Sequence, residues 1–378
     1  DASNDRVVIR LKGSPSNTQA IGSKMVINEG KSNSATRSIV SGGRYLSGGD
    51  TEQVFAMLSS KKASTLTVVW PDGTSSFLED LKRNHRYTVH QPEASDGLSD
   101  LVDVPTDQAA LIPLFRDASL KLSHTSRSAF SDDFAKQPLL SYALSHHGPG
   151  VICMDVNGDT ITDILIGGEK GQHPTLHIGK GDVEFETKEL DFRLINDSSG
   201  MLGMPVPGNR IHLFLAQTGY ETIRQPALME LNLKGQHRSL FSNALTGVGP
   251  MVAGPLNGQG SLTVFMGGTY ISRQYPLSHP SQLIHQDANG WRIDSVHEDL
   301  LRSIQRSRGA VWSDLNGDGF AELIITTEWG LVRVLQNTRG KLEDRTHAWG
   351  LGAHTGLWGG GVSGDMDGNG FPDLIVGN

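Results

Sequence analysis

The chain has 378 residues, a formal net charge of −8 and 45 glycines, with aromatic residues at 6%. No run resembles a membrane span of about 20 apolar residues, and the acidic balance argues against nonspecific nucleic-acid binding. The single cysteine, Cys153, excludes an internal disulfide and a cysteine-rich zinc site. It lies in an apolar run and reads as a small buried hydrophobe. The length allows two or three domains. Short apolar runs broken by Gly, Asn, Asp and Pro, with little helical periodicity, predict an all-β protein. The sequence opens at Asp1 rather than Met, so it is silent on a targeting segment.

Residues 1–90 form the first unit. Strands are expected at 7–11, at 20–27 (entered through Gly22), at 64–70 and at 86–90. Pro71-Asp72-Gly73-Thr74 supplies a turn, with Pro presetting φ and Gly taking a positive φ. At about 85 residues the unit predicts a small β-sandwich or barrel. Val8-Ile9-Arg10-Leu11, Asn17 with Ala20-Ile21-Gly22, the run 42–47 and Val69-Trp70-Pro71-Asp72-Gly73 give it a signature. In these residues the unit resembles the ASPIC/UnbV domain. That family occurs beside calcium-loop repeats in secreted or surface proteins, a vertebrate cartilage acidic protein among them, and the resemblance supplies no catalytic residues. Residues 91–111 are acidic, lack apolar periodicity and read as a linker. A new apolar rhythm begins at 114–117.

The third region, 112–378, is built around Asp155-Val156-Asn157-Gly158-Asp159-Thr160-Ile161-Thr162-Asp163. Oxygen-bearing side chains stand at positions 1, 3, 5 and 9, and the Ile161 carbonyl stands at position 7. Ca²⁺ takes about 6–8 oxygen ligands, which such a loop nearly supplies. The pattern recurs as Asp314, Asn316, Asp318, Phe320 (carbonyl) and Glu322, and as Asp365, Asp367, Asn369, Phe371 (carbonyl) and Asp373. An apolar strand-like run follows each copy, and position 12 is Ile166, Ile325 or Val376. An EF-hand places a Glu there before a helix; these loops feed β-strands instead. Up to three Ca²⁺ ions are expected. Three would add +6, so the acidity is largely directed at metal.

The loop starts imply a repeat of roughly 50 residues, in the range of four-stranded propeller blades. Residues 251–268 align with 151–168 without a gap, but Pro255, Asn257, Gln259 and Thr263 replace the ligands, so an empty loop is expected. A fainter copy lies near 204, with Pro205-Val206-Pro207-Gly208-Asn209 before an apolar run at 211–215. In the copy at 314, strands are expected at 310–312, 323–327, 331–335 and 341–344, with a turn at 337–340. This order resembles the FG-GAP or VCBS repeat of bacterial surface proteins and of the integrin α-subunit head. The resemblance implies calcium ligands at the loop positions named, with Thr160 departing from the usual Gly and Glu322 from the usual Asp. Residues 137–150 also look like the lead-in to such repeats. The expected fold is thus an all-β chain, a small β-domain followed by a β-propeller. Either residues 112–150 complete the ring, or, as the favoured expectation, it is seven-bladed in full and open within these residues, continuing before Asp1 or after Asn378.

Other constellations read more plainly as structure. His146 and His147 are adjacent, so in a strand they point to opposite faces. His173 and His177 would share an ion only on a helix, which Pro174 opposes. There is no Gly-x-Ser-x-Gly elbow and no phosphate-binding glycine loop before a helix. Trp70 and Trp312 lie in strand patterns, whereas Trp329 and Trp358 adjoin glycines and are candidate sugar-stacking surfaces. The sequence therefore predicts a non-enzymatic, calcium-stabilised module that is secreted, periplasmic or at the cell surface. It would serve adhesion, scaffolding or macromolecular binding, with another protein or a surface glycan as partner. A polysaccharide lyase or hydrolase on the same scaffold, or an accessory subunit of a surface assembly, are the alternatives.

Overall fold

In a computed structural model of the chain, the structure describes residues 5–14, 17–29, 33–42, 52–57, 64–92, 102–105, 122, 124–126, 131–145, 148–181, 184–206, 210–218, 228–241, 247–257, 262–287, 290–304 and 306–378. The expectations placed on 43–47, 114–117, His146, His147, Pro207-Gly208-Asn209 and Gln259 lie outside these residues. Six sheets of four or five strands and a two-stranded ladder make an all-β molecule with a β-propeller arrangement.

The first unit holds β1 (Arg6–Lys12), β2 (Lys24–Glu29), β3 (Asn33–Ser38), β4 (Ser41–Gly42), β5 (Gln53–Ala56), β6 (Ser64–Val69), β7 (Ser75–Leu78), β8 (His85–His90) and β9 (Val102–Pro105). One sheet runs β5-β1-β8-β9 and the other β3-β2-β6-β7. Strict alternation builds them. Val7, Ile9 and Leu11 in β1 and Met25 and Ile27 in β2 are buried, as are Leu66 and Val68 in β6. The strand expected at 20–27 starts at Lys24, because Ala20 and Gly22 take positive φ (+55° and +90°) in the turn before it. The segment 91–111 is not linker throughout. Its Val-Asp-Val-Pro stretch pairs antiparallel with the open edge of β8, from Thr88↔Val102 to His85↔Pro105.

After a short helix, α1 (Asp133–Lys136), come β10 (Val151–Met154), β11 (Asp163–Ile166), β12 (Thr175–Gly179) and β13 (Phe185–Glu189). A second blade follows as β14 (Ser198–Val206), β15 (Arg210–Gln217), β16 (Leu228–Leu231) and β17 (His237–Leu240). The third is β18 (Val248–Gly254), β19 (Thr263–Gly268), β20 (Gln282–Asp287) and β21 (Gly290–Ile293). Beyond α2 (Glu298–Arg302), the fourth is β22 (Ser307–Ser313), β23 (Glu322–Leu331), β24 (Arg333–Thr338) and β25 (Lys341–Asp344). Then β26 (Thr355–Leu357) pairs with the end of β23, and β27 (Gly361–Gly364) and β28 (Asp373–Val376) form the ladder.

Each four-stranded blade is an antiparallel meander, and the first strands of successive blades lie side by side. The core is therefore between blades. Ile152 and Leu165 of the first pack with Met201 and Leu215 of the second. Val252 and Phe265 of the third pack with Trp312 and Leu323 of the fourth. Cys153 is half-buried rather than buried, because alternation along β10 turns Ile152 and Met154 to that core and Cys153 away. The core of the first unit is continuous with that of the second and third blades, and β4 pairs with β18 (Val252↔Gly42, Ala253↔Ser41).

Candidate metal centre

The three acidic loops sit at one structural position. Each follows the last residue of a blade's first strand, and its ninth residue opens the second. The closing pairs are Met154↔Asp163, Ser313↔Glu322 and Gly364↔Asp373. The degenerate copy closes on the equivalent pair, Gly254↔Thr263, so its loop has the same length. The copy near 204 differs: β14 and β15 close on Val206↔Arg210, leaving three residues between them and no room for a nine-residue loop.

Within each loop the position-1 carboxylate organises the backbone. Asp155 Oδ1 accepts from the Gly158 and Asp159 amides (2.7 and 3.2 Å), and Oδ2 from Thr160 (2.8 Å). Asp314 holds Gly317, Asp318 and Gly319 (2.8, 3.1 and 3.1 Å). Asp365 holds Gly368, Asn369 and Gly370 in the same way. Position 3 accepts from the amide at position 5: Asn157 from Asp159, Asn316 from Asp318, Asp367 from Asn369. Position 5 accepts from position 7, each at 2.8 Å: Asp159 from Ile161, Asp318 from Phe320, Asn369 from Phe371. Positive φ at positions 4 and 6 makes these closures possible. Thr160 (φ +72°) stands where the other loops have Gly319 (+89°) and Gly370 (+91°).

The position-9 carboxylates anchor the loop to the sheet. Asp163 accepts from the Val156 and Gly179 amides (2.9 and 2.8 Å), Glu322 from Leu315 (2.8 Å) and Asp373 from Met366 (2.7 Å). Asp163 and Glu322 are fully buried. Burial pushes the Asp163 carboxyl above its ordinary range against those two amides, and Asp159 and Asp155 push the same way. Burial, then the charges of Asp314 and Asp318, push Glu322 up to about 7. Clustered carboxylates of this kind are what a divalent cation neutralises.

The donor set is all oxygen, as a hard cation requires. In the third loop one oxygen each from Asp365, Asp367 and Asp373 lie within 4.8 Å of one another. Ligands at about 2.3–2.6 Å from one Ca²⁺ lie no more than about 5 Å apart, so the trio fits. Among the described residues no other such trio of acidic or histidine ligand atoms occurs. In the first two loops position 3 is Asn, and Asp163 and Glu322 are drawn into the sheet. The first unit rests on this face. Arg10 Nη1 donates to the Thr160 carbonyl (3.0 Å) with Nη2 3.7 Å from Asp155, and Thr36 Oγ1 donates to the Gly370 carbonyl (3.3 Å). Both contacts reach the carbonyl at position 6.

His173 and His177 do not converge. His177 is buried with Nδ1 against Thr187 Oγ1 (2.9 Å), whereas His173 Nδ1 meets the Leu190 carbonyl. Trp70 and Trp312 are core residues, Trp358 is half-buried and Trp329 is 56% exposed. A second polar cluster, which no sequence motif announces, lies at the opposite ends of β22 and β23. Glu328 is buried and accepts from Tyr142 Oη (2.5 Å), Tyr275 Oη (2.9 Å) and Arg306 Nη1 (3.0 Å), with Arg308 Nη1 at 3.4 Å. Its members come from four separate stretches, so no spacing connects them.

Residues 13–96 match the family described as ASPIC and UnbV, and residues 314–376 match the FG-GAP-like repeat. FG-GAP-like repeats are typical of extracellular and surface proteins. No curated protein matches the chain. Among the described residues no helix is long and apolar enough to cross a membrane.

Proposed function

We propose that this chain, which joins an ASPIC/UnbV domain to FG-GAP-like propeller repeats, is a calcium-binding, non-enzymatic module that binds macromolecules outside the cell or at its surface. The observation that carries the reading is the hydrogen-bond frame repeated in three loops, gathered in the third into three carboxylate oxygens within 4.8 Å. When bound, Ca²⁺ would neutralise those carboxylates and fix each hairpin; Asp365, Asp367, Asn369, Asp373 and the Phe371 carbonyl would hold it in the third loop. Their counterparts would hold it in the first and second. The non-enzymatic reading is supported by Glu328. It is the buried carboxylate of the second cluster, and its oxygens are taken by two tyrosines and two arginines. A general acid or base needs a free oxygen aimed at substrate. The partner on this reading is another protein or a surface glycan.

Metal analysis after equilibration with Ca²⁺, together with thermal unfolding with and without EDTA, tests it. Bound calcium and a Tm lowered by several degrees on chelation are expected. No bound calcium and an unchanged Tm would sink the proposal. Asp367→Ala is the informative variant: the side chain is exposed, so loss of one calcium equivalent would not be confounded by misfolding. Asp163→Ala is less so, because it also strips the Val156 and Gly179 amides of their acceptor.

A further inference from the structure

We propose that the cavity beside Trp329 is a carbohydrate subsite, with the indole as the platform for a pyranose ring. Ser307 pairs with Thr327 at the end of the β22–β23 hairpin remote from the acidic loop. Arg306, Glu328 and Trp329 therefore lie on the opposite face from the metal loops. Tyr275 and Leu277 from beyond β19, and Leu139 and Ser141 from beyond α1, complete a cavity of ≈ 620 Å³. Small-ligand sites span about 300–1,000 Å³.

Trp329 is built to be rigid and exposed at once. It is 56% exposed and has φ +57°, a conformation bulky side chains seldom take. Such strain is held only where surrounding structure over-determines it. Here the indole N–H donates to Tyr275 Oη (2.7 Å), and Tyr275 donates to Glu328 (2.9 Å). The ring's N–H edge is used, and more than half of the residue stays open to solvent.

What the cluster has already satisfied narrows the ligand. The Arg306 guanidinium lies over Tyr270, Tyr142 and Tyr275 (5.0, 5.6 and 5.6 Å), so the aromatic cage holds the chain's own cation. Glu328 is fully engaged. A ligand is left the flat indole, Leu139 and Leu277 (94% and 57% exposed), and the hydroxyls of Ser141 and Ser278. A pyranose, with an apolar C–H face and a rim of hydroxyls, matches that set. A proline-rich peptide would need successive aromatic ridges along an extended groove, and there is one exposed indole here. The assignment gives a ligand class to the binding-module reading and rests on it, without requiring calcium in the loops.

Affinity electrophoresis of the full chain tests this, in gels cast with soluble glucan, xylan, galactomannan, pectin or alginate. At least one should retard the wild-type protein. Trp329→Ala should weaken retardation at least tenfold, Trp329→Phe and Tyr275→Phe should weaken it less, and Trp349→Ala, removing another exposed indole, should leave it unchanged. Retardation by none of the five, equal retardation of Trp329→Ala, or binding of a proline-rich peptide in place of every glycan would overturn the site. Calcium content of the same preparations is measured separately. Glycan binding absent with calcium present removes the subsite alone; calcium absent with glycan binding kept removes the metal reading alone.

Discussion

Arg10 sets the first loop apart from the other two. Its guanidinium lies 3.7 Å from Asp155 Oδ2, at the carboxylate that organises the loop, and so supplies part of the positive charge a cation would bring. Both side chains keep some exposure, so screening limits the effect to about 1 kcal/mol. Arg10→Ala should therefore raise calcium affinity at the first loop about fivefold, and less at high salt, as titration calorimetry would show. An unchanged affinity would mean that the Arg10 charge is screened out, and a weaker one that Arg10 holds the loop in shape for metal. Thr160 supplies a second residue-level difference, since Gly319 and Gly370 occupy its position elsewhere. An added Cβ at Gly319 meets nothing within 4 Å, so Gly319→Ala isolates the cost of positive φ. That cost is about 1–2 kcal/mol, offset by about 0.4–1 kcal/mol from a stiffer unfolded chain. Urea unfolding in EDTA should show Gly319→Ala destabilised by about 0.5–1 kcal/mol and Thr160→Gly shifted the other way.

Blades meet through their first strands, and small residues set how closely. Gly254, the last residue of β18, faces the Trp312 ring of β22 across that seam. A Cβ built on Gly254 would lie 2.3 Å from Trp312 Cγ, and Trp312 is a core residue, 2% exposed. Gly254→Ala should cost about 2–3 kcal/mol by overpacking, whereas Gly377→Ala, where nothing lies within 4 Å, should cost little. Equal midpoints in urea would refute the close seam. The strands flanking the loops were legible because each is an apolar run abutting an acidic motif. The strand after 314 was expected at 323–327 and is observed at Glu322–Leu331. Strands without that contrast were not legible: β3 reads Asn-Ser-Ala-Thr-Arg-Ser, and β4 is two residues stabilised by pairing with β18. The acidic loops are local in sequence, so spacing exposed their candidate ligands. What spacing could not convey is that Asp163 and Glu322 turn into the sheet. The Glu328 cluster is assembled across 142, 275, 306 and 328 by the packing of blades, and only the exposed Trp329 beside it left a trace in sequence.

At the scale of the molecule, the first unit is fastened to the same face that carries the acidic loops. The Asp365 amide donates to the Thr36 carbonyl (3.2 Å), Thr36 Oγ1 donates to Gly370 (3.3 Å), and Lys24 Nζ stands 5.8 Å from the centre of the Phe371 ring. Ser34 lies against Gly368 so closely that a Cβ there would meet its carbonyl at 2.6 Å. Thr36 is buried. A cation in the third loop would fix the loop backbone that Thr36 grips, so metal binding and docking of the first unit should be linked, each strengthening the other. Hydrogen exchange can read this directly, because β3 contains none of the proposed ligands. Chelation should raise exchange in residues 33–38 as well as in 365–371, and Thr36→Val, which keeps the volume but removes the Oγ1 bond, should lower calcium affinity at the third loop several-fold. Exchange that rises in the loops alone would mean the two units share a face without sharing a free energy.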